Sequence, residues 1–178
     1  TSGKDFRVEK TTNGNLAIRY ALSAIKNVGE AAMSILEQEQ KSGGIFSNLQ
    51  EFVSRLDGRV LNRRSLENLI KAGALDRINS DRAKLFGGVD IIVRHSNLNS
   101  NERNSDQESL FDNSKEFVAG VPELPAAIEW DSLERLNYEF EAMGFYLSAH
   151  PLDTYGETLE RLDVVDSLSI VSNIHSKG

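Results

Sequence analysis

The chain has 178 residues, no cysteine, 39% apolar residues and a formal net charge of −7. That allows one medium domain or two small ones and excludes disulfides and thiolate metal sites. No apolar run approaches the roughly 18 residues that a membrane span needs, and no signal-peptide pattern opens the sequence, so the reading is a cytoplasmic protein with no membrane partner. The charge is unevenly placed: residues 1–90 hold 14 Lys and Arg against 11 Asp and Glu, whereas residues 91–178 hold 6 against 16. A mildly basic half joined to a strongly acidic half suggests two surfaces with different partners.

The first 22 residues read as a β-hairpin. Apolar and charged residues alternate over Asp5–Glu9 and again over Leu16–Tyr20, and Asn13-Gly14 between them suits a tight turn with positive φ angles. The period then changes to that of a helix. Ala31, Ala32, Ile35 and Leu36 form a stripe, and Gly43-Gly44 closes it. Ser47 and Gln50 have capping-box spacing ahead of Leu49, Phe52, Val53 and Leu56, which recur at i, i+3, i+4 and i+7. After Gly58, Asn62 is the expected N-cap, with Leu61 and Leu66 as a hydrophobic staple; Leu66, Leu69 and Ile70 face inward and Gly73 ends the helix. Ser80 is the expected cap of a helix through Val93 that contains Gly87-Gly88.

From Ser96 to about Ala127 the sequence is polar and aperiodic, so a mobile linker is expected, with a further non-helical stretch at Val121–Pro125. Asp131 and Glu134 then resemble a capping pair ahead of the stripe Leu133, Leu136, Phe140, Met143 and Leu147. His150-Pro151 is expected to end that helix and to start another with Leu152, Tyr155, Leu159 and Leu162 inward. Val164-Val165 and Leu168–Val171 look extended, and the sequence stops in that element, as a piece of a longer chain would. The fold expected is mainly α: tandem helix-hairpin-helix units over 23–95, preceded by the β-hairpin and followed by a polar linker over 96–127 and two C-terminal helices over 128–163. Residues 164–178 begin a further domain.

Three stretches carry candidate chemistry. In Ser23–Ala32, a Gly-containing turn leads into a helix that starts with small residues. Outward N–H groups of such a turn and of the helix N-terminus can donate to a phosphate oxygen, so the unit grips backbone and not bases. Lys26, Asn27, Val28 and Gly29 are the candidates; Asn27 stands where many such hairpins have a first glycine, and Asn tolerates left-handed geometry better than most residues. The second stretch gathers Arg59, Arg63 and Arg64 at one helix entrance; a solvated face is the plain alternative. The third is Gln107-Glu108-Ser109-Leu110-Phe111 inside the polar linker. There a Gln amide can bond a pocket rim while Leu and Phe fill the pocket. Gln107, Ser109, Leu110 and Phe111 are its candidates. Catalysis has little support. His95, His150 and His175 have no metal-ligand spacing, Asp163 and Asp166 are the nearest approach to a carboxylate pair, and no phosphate loop or nucleophile motif is present.

At four places the sequence resembles the bacterial DNA polymerase III alpha subunit. These are Ile18–Tyr20 with Ala24–Glu30, Leu61–Glu67 with Ile70–Asp76, Gln107–Phe111, and Gly144–Leu152. The resemblance runs from about residue 5 to residue 165. It implies a segment that follows the fingers, holds the template–primer duplex through tandem helix-hairpin-helix motifs, binds the sliding clamp through Gln107–Phe111 and leads into an OB domain. It also implies other replicase subunits as partners of the parent protein, magnesium for the parent polymerase, and neither catalytic residue nor cofactor in this segment. Two other functions stand beside it: a helix-hairpin-helix module of a repair nuclease, and a protein–protein adaptor.

Overall fold

A computed structural model describes residues 3–56, 60, 62–104, 123–162 and 164–165. The hairpin pairs β1 (Arg7–Lys10) with β2 (Leu16–Arg19), antiparallel, with Val8 opposite Ile18 and Lys10 opposite Leu16. Its turn is not the mirror-image two-residue type. The Gly14 N–H donates to the Thr11 carbonyl at 2.9 Å, and Gly14 alone takes a positive φ, 80°, while Asn13 does not. The apolar face, Val8, Leu16 and Ile18, is exposed, and on the opposite face Arg7 reaches the Glu37 carboxylate and Arg19 reaches Glu9.

A single 3-10 turn (Leu22–Ala24) precedes α1 (Glu30–Gly43). The buried stripe of α1 is Met33, Leu36 and Glu37; Ala31 and Ile35, expected inside, are exposed. The helix is rotated because Glu37 meets two donors at the start of β1, Arg7 and the Lys4 N–H, and it also pairs with Lys41 one turn along its own helix. In α2 (Leu49–Arg55) the N-cap is Asn48, one residue beyond the position read from the sequence. Its side chain accepts the Glu51 N–H, while Glu51 accepts from the Ser47 N–H and hydroxyl. Phe52, Val53 and Leu56 are buried as expected.

The centre of the core is α3 (Arg63–Lys71), capped by Asn62 as the sequence indicated, with Leu66, Leu69 and Ile70 at most 1% exposed. Each such side chain contributes about 1.5–3 kcal/mol by burial. The helix expected from Ser80 to Val93 is two helices. Asp81 caps α4 (Arg82–Gly87), and after Gly88 the chain turns into α5 (Val89–Asn104). The close approach of Leu124 explains why a glycine stands at the junction, since a Cβ on Gly88 would lie 2.6 Å from Leu124 Cδ2. The stretch read as linker from Ser96 therefore starts inside a helix. Ser96 is buried, and its hydroxyl donates to the Leu56 carbonyl at the end of α2, which anchors α5 where its composition turns polar. Leu124 and Pro125 are non-helical as expected.

The capping box of α6 (Ser132–Met143), Asp131 with Glu134, is present. Its buried line is Leu136, Glu139, Ala142 and Met143, while Leu133 and Phe140 are exposed. Gly144, left-handed, ends it before Leu147. His150-Pro151 instead opens a 3-10 turn (Pro151–Tyr155) leading to α7 (Gly156–Arg161). Leu152, Tyr155 and Leu162, expected inward, are exposed, and Leu159 is half-buried. Nothing among the described residues packs over that face.

α6 joins the same core as the hairpin helices. It packs on α3, and Trp130 and Tyr138 stack near Phe86 of α4. Lys71 of α3 lies 4.9 Å from the Tyr138 ring centroid and 2.7 Å from Glu141. Beneath them is a buried charge network. Arg82 binds Asp76 through Nε and Nη2, both at 2.7 Å, and Glu139 through Nη1 at 3.0 Å. Glu139 is 1% exposed. Burial pushes its carboxyl pKa up, but the Ser148 N–H and hydroxyl together with Arg82 outweigh that and hold it below its ordinary value. No helix among the described residues is long and apolar enough to cross a membrane.

Candidate nucleic-acid interface

The first hairpin turn is built around Asn27. Its φ is +60°, and it is the one non-glycine residue with positive φ among the described residues. An L residue there pays a steric cost that Gly escapes and Asn partly escapes. Asn27 thus takes the geometry that a glycine gives such turns. Val28 is buried, and its N–H donates to the Ile25 carbonyl. It holds the turn, and neither its side chain nor its N–H is presented outward. The Lys26 N–H donates to the Ala142 carbonyl of α6 at 3.0 Å, while the Lys26 side chain is exposed.

Gly29 is the N-cap of α1, extended at φ −73° and ψ 138°, with no side-chain cap. A Cβ there would meet nothing within 4 Å, so a ligand can approach the backbone. The first N–H groups of this 14-residue helix have no intrahelical partner and carry its positive dipole end. Glu30 in the first turn opposes an anion, but it is drawn to Lys4 at 3.3 Å.

The second entrance is the N-terminus of α3, and it lies against the first turn. The Ser65 hydroxyl donates to the Asn27 carbonyl at 2.8 Å. That bond brings Lys26–Gly29 and Arg63-Arg64 to one surface. The two arginines differ. Arg63 is bound to Glu67 at 2.8 Å and to Asp90 at 2.7 and 2.9 Å, and these carboxylates, Glu67 first, raise its pKa. Arg64 is exposed, and its guanidinium, like the Lys26 ammonium, makes no ion pair among the described residues. Ser65 was missed in the sequence because a polar residue on the buried face of α3 adds nothing to its apolar period. Asp90 was missed because it is 27 residues from Arg63. Arg59, the motif Gln107–Phe111 with Ser109, and the pair Asp163 and Asp166 lie outside the described residues. Among the described residues no group of His, Asp and Glu is placed to hold a metal ion.

A basic turn with an open helix N-terminus beside a second capped entrance is the arrangement expected of a helix-hairpin-helix unit, and the helix-hairpin-helix motif family matches residues 1–85. Beyond the motif, the chain is homologous to a segment of bacterial DNA polymerase III subunit alpha. It is 39% identical over 160 residues to that subunit from Caulobacter vibrioides, 38% over 154 residues to that of Thermus aquaticus and 31% over 178 residues to that of Borreliella burgdorferi. These alignments cover 90%, 86% and 99% of this chain and 13%, 12% and 15% of those proteins. The chain thus spans about an eighth of the length of the relatives it matches.

Proposed function

We propose that this segment is a processivity module, which grips the sugar–phosphate backbone of template–primer duplex and tethers its parent polymerase to the sliding clamp. The observation that carries the grip is the left-handed Asn27, which opens the N-terminus of α1 beside Lys26 and Arg64. Such a surface donates N–H groups and point charges to phosphates and reads no base edges, so its binding is independent of sequence. Few phosphates are neutralised, and the log–log salt slope expected is on the order of −2 to −4. In fluorescence anisotropy with unrelated 20-mer duplexes, Lys26→Glu with Arg64→Glu should weaken binding to all of them on the order of tenfold. Arg63→Gln should matter less, because two carboxylates already neutralise that side chain. Strong preference for one duplex, or indifference to the paired charge reversal, would refute the grip.

The tether rests on the polar flanks of Gln107–Phe111 and on the resemblance of that motif. Leu110 and Phe111 supply about 1.5–3 kcal/mol each when buried, offset by about 1–2 kcal/mol for each residue ordered, so affinity near micromolar is expected. A clamp on the same DNA raises the effective concentration and makes weak contact sufficient. Leu110→Ala with Phe111→Ala should abolish clamp capture and leave DNA affinity unchanged; Gln107→Ala should cost about 0.5–1.5 kcal/mol. The module contributes grip and not chemistry, with magnesium left to the parent polymerase. Magnesium-dependent cleavage of duplex by the pure chain would overturn this in favour of the nuclease.

A further inference from the structure

A cavity of about 350 Å³ lies behind the hairpin turn, among β2, the C-terminal halves of α1 and α3 and the loop that follows α3. Its floor is apolar: Leu36, Phe46, Phe52 and Leu69, all at most 4% exposed. The Phe46 ring packs edge-on against Phe52 at 5.3 Å and is backed by the Arg55 guanidinium at 4.4 Å. The mouth lies at Ile45 and Arg77, both exposed. The volume suits a small ligand or one bulky side chain, and a floor of this kind gives water few partners.

The polar groups at the cavity are asymmetric. Arg77 makes no hydrogen bond or ion pair among the described residues, and Arg19 gives one terminal nitrogen to Glu9 while its buried Nε has no acceptor there. The acid in the lining, Asp76, is already bound by Arg82 at 2.7 Å and by Arg135 at 3.0 Å. The ends of α1 and α3 add partial negative charge, but about half an elementary charge each falls short of two guanidinium groups with unfilled donors. A buried donor without an acceptor carries a desolvation cost that an anionic acceptor removes.

We propose that this cavity binds a bulky apolar group bearing a carboxylate, with the apolar part on the Phe46–Phe52 floor and the carboxylate between Arg19 and Arg77. The ligand class is an aromatic or branched aliphatic acid, either free or as the C-terminal residue of a polypeptide. The site is at the opposite ends of α1 and α3 from the entrances at Gly29 and Asn62, so its occupation does not cover the proposed DNA-facing surface.

The test is a titration of the whole 15N-labelled chain, followed by amide chemical shifts. N-acetyl-phenylalanine should give saturable shifts at Ile45, Phe46 and Ala74–Ile78 in the millimolar range. N-acetyl-phenylalaninamide, the same shape without the charge, should bind at least tenfold more weakly. Arg77→Gln should weaken the acid at least fivefold and leave the amide unchanged; Ala74→Trp, at an exposed lining position, should block both. The variants' unshifted amides elsewhere report an intact fold. No saturable shifts, shifts elsewhere, or equal affinity for acid and amide would overturn the proposal. A pentapeptide Gly-Ser-Gly-Gly-Phe with a free C-terminus identifies a polypeptide terminus if it binds more tightly than the acetylated amino acid, and a free acid if more weakly.

Discussion

Asn27 is held in left-handed geometry on both sides, by the Val28 N–H on Ile25 and by its own carbonyl on Ser65. Asn27→Gly should therefore change the unfolding free energy from urea denaturation by only a few tenths of a kcal/mol, whereas Asn27→Val should cost about 1–2 kcal/mol. The position was legible in the sequence, because Asn stands where such a turn has glycine; the fate of its neighbours was not. Val28 and Arg63 looked available by residue type, but one is claimed by the core and the other by Glu67 and Asp90. Carboxylates set the acid limit. Glu37 is held at about 2 by the Lys41 ammonium, the Lys4 N–H and Arg7, and Glu51 at about 2 by the Ser47 hydroxyl and N–H and Arg55, against an ordinary 4.5. A lowered folded pKa means that the unfolded chain takes up protons first as pH falls. The contribution of these groups is complete above about pH 4.5 and lost as pH falls to about 2. Urea midpoints measured across that window should fall, and Glu37→Gln with Glu51→Gln should start lower at neutral pH and give a flatter profile.

Among the elements, α4 and α6 depend on Arg82. Glu139→Ala leaves that guanidinium buried with one of its two carboxylates and should cost about 3–5 kcal/mol by chemical denaturation. Arg82→Met with Glu139→Leu should recover much of the loss, since it removes both charges together. Gly73 guards the same network. Its φ is +73°, and an added Cβ would lie 2.0 Å from Arg82 Nη2, so Gly73→Ala should cost more than about 2 kcal/mol. Existence and order of elements were largely legible: the hairpin, α1 to α3 and α6 form where they were expected, α2 and α3 bury the stripes read for them, and Asn62 and Asp131 cap as their spacing indicates. Errors arose where tertiary partners outrank pattern. Glu37 and Glu139 are inside because each meets fixed donors, and the stripe of each helix rotates accordingly. Position 88, where one expected helix becomes two, is a glycine because Leu124, a residue distant in sequence, occupies the space of a side chain. The exposed α7 stripe has a helical period and no covering layer among the described residues, and period alone does not supply one.

At the scale of the molecule, α6 is a brace for the turn at Lys26 and not an appendage. It accepts the Lys26 N–H, pairs Lys71 through Glu141 and places Ala142 and Met143 in the core of α1 to α5. Residues 3–104 without α6 should therefore lose more than about 3 kcal/mol of stability and bind duplex more weakly, by denaturation and anisotropy on the same preparation. That single core was not legible, because the polar run from Ser96 to Asp106 separates its two parts and nothing in the periodicity of either part points to the other. The Lys71–Glu141 contact, which spans 70 residues, has a consequence for synthesis on the ribosome. At about 5–20 residues per second, roughly 4–14 s pass between the emergence of the two partners. During that interval Arg82 has Asp76 but not Glu139, and the Lys26 N–H has no acceptor. A nascent chain at this stage offers chaperones and proteases a half-closed core, which arrested nascent chains of increasing length would reveal as a loss of protease sensitivity once α6 has emerged.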